Sequence, residues 1–242
     1  MSEKNINKGV TITFLGHACF KLISPQGTTI LIDPWIKDNP QAPRAAEDVG
    51  KLHYILVSHG HGDHLGDAID LAKKTGAIVI SMPEIAHYLN QQGLNPEKIV
   101  GMNKGGSVSA TDIRITMVHA LHSSSMIEGT QIIYGGEAAG FIIRFDNGFT
   151  VYHAGDTGVF GDMKIISELY KPALAFLPIG SHYVMGPEEA VYACGLLKPQ
   201  YVVPMHYGTF PVLSGTPEKF LELMKKFPEV KVLVMTPGET ID

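Results

Sequence analysis

The sequence predicts an α/β sandwich of four layers, two mixed sheets packed face to face with helices outside, and two observations predict it. Strand and turn signals alternate with helical stretches in an order that occurs twice. The residues best suited to hold a cation fall where strands end. We therefore expect one domain over residues 1–242, built of two similar halves, with chemistry gathered at the edge where strands of both halves finish.

The first half opens with "TITFLGHACFKLISPQGTTILIDP", a β-rich stretch broken at Pro25 to Gly27. It continues through the apolar strand "LHYILVS", the helix-like "LGDAIDLAKKTG" and the strand "AIVIS". The second half offers "GFIIRFDNGFTVYHAGD", a hairpin turned at Asp146 to Gly148. The strand "ALAFLPIG", the helix-like "GPEEAVYACGLL" and the strand "YVVPMH" follow. The fragments "NKGG" and "IEGTQIIYGGEAAG" lack the Gly-Lys-Ser/Thr ending of a phosphate loop and read as turns, the second as a lid.

Composition narrows the class. The chain is 45% hydrophobic and 18% charged, which suits a globular enzyme and argues against disorder. A formal net charge of -5 with no run of lysines or arginines disfavours nucleic acid as a partner. The N-terminal "MSEKNINKGV" has no apolar signal core, and no apolar run approaches the roughly 20 residues that span a bilayer. The expectation is a cytoplasmic protein with a small-molecule substrate and no membrane partner; a homo-oligomer stays open. Cys19 and Cys194 read as buried apolar residues, not as a disulfide.

"SHGHGDHLGD", residues 58–67, crowds three histidines and an aspartate into six consecutive positions. His59 and His61 are two apart, so an extended chain projects them from one side toward one cation. Asp63 and His64 come as the chain turns into a helix beginning near Leu65, and they can address a second cation. The glycines between them remove Cβ bulk where the backbone must bend. Three more strand exits carry such residues: "HALHSSS" after "DIRITMV", "HAGDT" after "FTVY" and "HYGTF" after "YVVPM". Spacing alone does not choose between His119 and His122, since both sit at the same exit.

"HGHGDH", with "LIDP" upstream, "HAGDT" downstream and "PMHYGTF" near the C-terminus, resembles the metallo-β-lactamase superfamily. "LGHACF", "HSSS", "GDTGVFGDM", "LPIG" and "MGPEEA" extend the likeness over nearly the whole chain, to the UPF0173 metal-dependent hydrolases of the ascorbate-phosphate lactonase-like branch. The resemblance implies the αββα sandwich. It implies a first metal site of His59, His61 and His122, a second of Asp63, His64 and His206, and Asp156 as the bridging carboxylate. It implies two divalent transition-metal ions; with no thiolate among the ligands, zinc is the default and manganese or iron fit as well. Two such ions lower the pKa of a shared water toward about 7, so that a hydroxide bridging the metals attacks, with Asp63 or Asp156 accepting or relaying the proton.

Asp33 of "LIDP" matches a family position that supports the ligand loop by hydrogen bonding. His17, His153 and His182 lie close to motif residues and are candidates to touch substrate or to hold a ligand carboxylate. Relatives more often carry an acidic residue where Ser181 stands and threonine where Val184 stands, which leaves the substrate pocket open. Gly186 and Pro187, followed by Glu188 and Glu189, read as a helix start whose amides could face an anion.

The expected reaction is hydrolysis of a small ester-type substrate, a phosphodiester or a lactone. The rivals are a thiolesterase or β-lactamase-like activity, a diiron oxygen reductase, which His61 and the short chain oppose, and a non-catalytic metal-binding or scaffold protein, which predicts lost ligands where none is missing.

Overall fold

Antiparallel hairpins open each half, and parallel strands joined through helices extend it. In the computed structural model, which describes residues 7–242, the strands are β1 (Thr11–Gly16), β2 (Cys19–Ile23), β3 (Thr29–Ile32), β4 (Tyr54–Leu56), β5 (Ile78–Ser81) and β6 (Ile99–Gly101). There follow β7 (Ser107–Ala110), β8 (Ile113–His119), a separate hairpin of β9 (Ser125–Glu128) and β10 (Gln131–Tyr134), then β11 (Ala139–Phe145), β12 (Thr150–His153), β13 (Leu174–Pro178), β14 (Tyr201–Met205), β15 (Lys231–Val232) and β16 (Thr240–Ile241).

One seven-stranded sheet has the order β16-β1-β2-β3-β4-β5-β6 and the other β15-β14-β13-β12-β11-β8-β7. In the first, β1 to β3 are antiparallel and β3 to β6 parallel. In the second, β7, β8, β11 and β12 are antiparallel and β12 to β15 parallel. The duplicated order of the sequence is thus a duplicated topology.

Helices α1 (Gly62–Leu65), α2 (Ala68–Thr75) and α3 (Pro83–Gln91) belong to the first half, and α4 (Met163–Tyr170), α5 (Pro187–Leu197) and α6 (Pro217–Met224) to the second. Their apolar stripes face inward: α2 buries Ala68, Leu71 and Ala72, and α6 buries Phe220 and Met224. Proline at the first helical position starts α5 and α6, and the Thr216 side chain accepts from Lys219 N–H to cap the latter.

The two sheets meet through aromatic side chains. Phe20 of β2 stacks on Phe176 of β13 with ring centroids 3.9 Å apart and planes 9° apart, and both are fully buried. All five residues of β13 are buried, as a parallel strand covered on both faces requires.

The structure corrects three local readings. The stretch from Thr11 breaks twice, at His17–Ala18 as well as at the turn after Ile23, because β1 and β2 form a hairpin of their own. Helix α1 begins at Gly62, so Asp63 and His64 lie on its turn and not before it. The fragment read as a turn forms the two-stranded β9–β10 hairpin, with Ile127 opposite Ile132. Cys19 and Cys194 are both buried and unpaired. Among the described residues no helix is long and apolar enough to cross a membrane; residues 1–6 of the N-terminal stretch lie outside the described residues.

Candidate metal centre

The histidine loop is held from below by Asp33, at the end of β3. Ser58 donates to this carboxylate twice, from its N–H at 2.8 Å and from its hydroxyl at 2.7 Å. With that hydroxyl proton committed, Ser58 Oγ accepts from His59 Nδ1 at 3.0 Å and leaves Nε2 to face the cavity. His64 Nδ1 donates to Asp33 Oδ2 at 2.8 Å, which turns its Nε2 the same way. One carboxylate thereby orients two imidazoles.

The two glycines of the loop do different work. A Cβ on Gly60 would sit 2.5 Å from Met126 Sδ and 3.1 Å from the Ser125 backbone, so glycine is required there by close packing. Gly62 would meet nothing within 4 Å. Its neighbour His61 is extended at ψ 149°, after which the N–H groups of His64 and Leu65 close one helical turn on the His61 carbonyl at 3.0 and 2.9 Å. Ser124 fixes the facing loop, its Oγ accepting from Gly60 N–H at 3.1 Å and donating to the Gly135 carbonyl at 2.9 Å.

Three groups of side chains bring one ligand atom each to within 4.8 Å of one another: His59, His61 and His122; His59, His64 and Asp156; and His17, Asp63, His64 and His206. In the first, His59 Nε2 is 3.0 Å from His61 Nδ1, which is 3.3 Å from His122 Nε2. Two nitrogens each about 2.0–2.1 Å from a shared tetrahedral ion lie about 3.3–3.4 Å apart, so this triangle fits a cation. Asp156 faces both sides: Oδ2 is 3.6 Å from His122 Nε2, 3.9 Å from His59 Nε2 and 3.0 Å from His206 Nε2, and Oδ1 is 3.1 Å from His64 Nε2. His64 Nε2, His206 Nε2 and Asp156 Oδ1 are buried, and their 3.0–3.1 Å approaches to the Asp156 carboxylate and the facing rings are not aligned as hydrogen bonds, as for ligand atoms aimed at an ion.

Burial and charge oppose each other here. Burial, the largest influence, lowers the pKa of His59, His61 and His122 and keeps those rings neutral, the form that ligates. Burial alone would lower His64 too, but the carboxylates Asp156 and Asp33 outweigh it and raise its pKa. The place that proton takes beside Asp156 is the place a cation would take. Asp156 is fully buried, and the adjacent His206 and His64 overcome the desolvation penalty and hold its pKa well below the usual carboxylate range.

His17 reaches Asp63 Oδ2 through Nε2 at 3.2 Å, and its Nδ1 lies 2.8 Å from the Thr209 hydroxyl. Burial lowers its pKa to about 4 despite Asp63. His119, the other histidine of its strand exit, turns elsewhere: Nδ1 is 3.1 Å from Lys104 Nζ, which also pairs with Glu137. His153 is fully buried away from the cavity, with Nε2 donating to the Ala18 carbonyl at 2.9 Å and Nδ1 accepting from Gly155 N–H at 3.1 Å. It ties the turn that carries Asp156 to the turn that carries His17. His182 is exposed, its ring edge-on to Tyr183. The helix start at Gly186 is already occupied: its N–H donates to Glu189 Oε2 at 2.7 Å.

Over the centre lies a cavity of about 670 Å³, whose floor includes His61, Asp63, His122, Asp156 and His206 and whose walls include Trp35, Tyr183 and Phe210. Sequence reasoning missed Ser58, Ser124, Thr209 and these aromatic walls. The signal was adjacent in every case, since Ser58 opens "SHGHGDH", Ser124 belongs to "HSSS", Trp35 follows "LIDP", Tyr183 stands between His182 and Val184, and Thr209 and Phe210 complete "HYGTF".

Similarity to known proteins extends over most of the chain. A beta-lactamase superfamily domain matches residues 28–207. A UPF0173 metal-dependent hydrolase of Koribacter versatilis is 50% identical over 234 residues, covering 96% of this chain and 98% of its own. One from Rubrobacter xylanophilus is 51% identical over 235 residues, 96% of each chain. The solved structure of a novel metallo hydrolase from the hyperthermophilic archaeon Ignicoccus hospitalis superposes with a TM-score of 0.85 at 40% identity, covering 96% of this chain and 97% of that one.

Proposed function

Since the chain belongs to the beta-lactamase superfamily and, within it, to the UPF0173 metal-dependent hydrolases, we propose that it hydrolyses a small ester-type substrate, a phosphodiester or a lactone, at a centre of two divalent transition-metal ions. The chain is a metal-dependent hydrolase of the metallo-β-lactamase fold. Bound there, one ion would be held by His59, His61 and His122 and the other by Asp63, His64 and His206, with Asp156 within reach of both groups. When bound, the ions lower the pKa of a shared water toward about 7 and polarise the oxygen under attack, zinc being the first choice for a nitrogen and oxygen donor set.

The observation that carries the proposal is the position of Asp156, whose Oδ2 lies 3.6 Å from His122 Nε2 and 3.0 Å from His206 Nε2, while Oδ1 lies 3.1 Å from His64 Nε2. A carboxylate between two imidazole groups compensates the repulsion of two cations as a neutral side chain would not. Asp63, kept ionised with His17 as its hydrogen-bond partner and 23% exposed, is the group placed to take a proton from an attacking water. Thr209 donates to His17 Nδ1, which leaves Nε2–H to donate to Asp63 and holds that carboxylate in one rotamer.

A turnover screen of the metal-loaded protein across phosphodiesters, lactones, thiolesters and a β-lactam tests the reading. Turnover of a phosphodiester or a lactone, lost in Asp156→Asn, is the expected result. Two metals bound with no turnover of any class would instead support a binding or scaffold protein.

A further inference from the structure

The walls of the cavity have a chemistry the floor does not explain. Trp35 follows β3, Tyr183 follows β13, and Phe210, Pro211 and Val212 follow β14, so loops from both halves contribute. Trp35 and Phe210 lie with ring planes 19° apart and centroids 5.6 Å apart. Tyr183 and Val212 are 55% and 45% exposed, apolar groups left facing solvent at the mouth. Among the described residues lining the cavity there is no lysine or arginine.

We infer that the part of the substrate that does not react is a flat, uncharged, apolar group seated against Trp35, Phe210 and Tyr183. The inference rests on the hydrolase reading above and narrows it. A phosphate or carboxylate tail, such as a phosphorylated sugar carries, needs a guanidinium, an ammonium or free backbone amides to replace its hydration. The walls offer aromatic faces, which carry the negative side of the ring quadrupole and repel an anion. At the start of α5, Gly186 N–H is bonded to Glu189 and Pro187 has no N–H, and none of residues 186–189 lines the cavity. A planar apolar group, by contrast, gains burial and stacking on the same surface.

The test separates tail from reacting bond. A phenyl tail and a phosphomethyl tail are each placed on a γ-lactone and on a methyl phosphodiester, and KM is compared within each pair on the metal-loaded protein. The phenyl member should have the lower KM by at least about tenfold, the scale of one aromatic contact together with its buried area. Trp35 is the single tryptophan of the chain, so its fluorescence reports binding without turnover. The phenyl compounds should saturate a change in that signal at concentrations where the phosphate-tailed ones produce none. If neither pair is hydrolysed and the phenyl compounds still saturate the Trp35 signal, the phosphodiester-or-lactone assignment fails while the aromatic seat stands. If the phosphate-tailed compounds bind equally well or better, this one is overturned whatever is turned over. Val212→Arg, at the rim and away from the floor, should keep its metals and shift the preference toward the phosphate tail by about tenfold; an unchanged preference also overturns it.

Discussion

The carboxylate of Asp33 lies 2.8 Å from Nδ1 of His64, with both side chains fully excluded from solvent. The same carboxylate holds Ser58, and through it His59, so a residue outside all three groups of candidate ligands governs the aim of two imidazoles within them. Asp33 sits at φ 46°, a backbone region asparagine tolerates, so Asp33→Asn keeps the turn and removes the charge. Metal affinity, measured by competition with a chelator, should fall about 10- to 100-fold.

The two histidines of one strand exit should separate cleanly. His122→Ala should lose one metal or weaken its binding, since His122 Nε2 lies 3.3 Å from His61 Nδ1. His119→Ala should keep both, because that ring faces Lys104 and Phe160. Elemental analysis of the two variants decides, and the reverse pattern would reassign the ligand.

Asp156→Asn should weaken both metals together, because the amide is neutral and its nitrogen is a donor facing His206 and His64. Turnover of the best substrate should drop at least about a hundredfold. Retention of two metals at near-normal rate would show that the water is activated elsewhere.

Acid should destabilise the chelator-treated protein in a defined window. Burial lowers His17 to about 4 and lowers His153 as well, whereas both return to about 6.5 in the unfolded chain. Between about pH 6.5 and 4 the unfolded state therefore binds protons that the fold refuses, and the free energy of unfolding falls as pH falls. His64, with its raised pKa, acts in the opposite sense and is stabilising below its folded value. Thermal melts at about pH 7 and about pH 5 should show a smaller drop for His153→Gln than for the parent, the amide keeping the donor to Ala18 without a titrating ring.

Alanine at the two loop glycines should give opposite outcomes. Gly60→Ala pushes into Met126 and the Ser125 backbone and should cost about 1–3 kcal/mol in chemical denaturation. Gly62→Ala enters open space on a helical turn and should be neutral or stabilising by about 0.5–1 kcal/mol.

Alternation and run length, with their punctuating glycines and prolines, are local properties. The sequence by itself therefore determined that two similar halves of strands and helices exist, where most strands end, and that "HGHGDH" presents ligand-type side chains at one such end. The same locality explains the resemblance, which is carried by short motifs at strand exits. Tertiary structure decided what depends on chain segments far apart meeting. Spacing left His119 and His122 equivalent, and only the packing of β8 against its neighbours turned the first toward Lys104 and brought the second to His61. His17 and Thr209 are 192 positions apart and come within 2.8 Å, an encounter no window of sequence contains. His153, adjacent to a motif and read as a candidate for substrate, is spent on the Ala18 carbonyl, because a buried strand end must satisfy its polar groups before it can offer them to a ligand. The aromatic wall of Trp35, Tyr183 and Phe210 was decided in the same way: each residue is unremarkable in its own loop, and only the closure of the two halves on one edge makes them one surface.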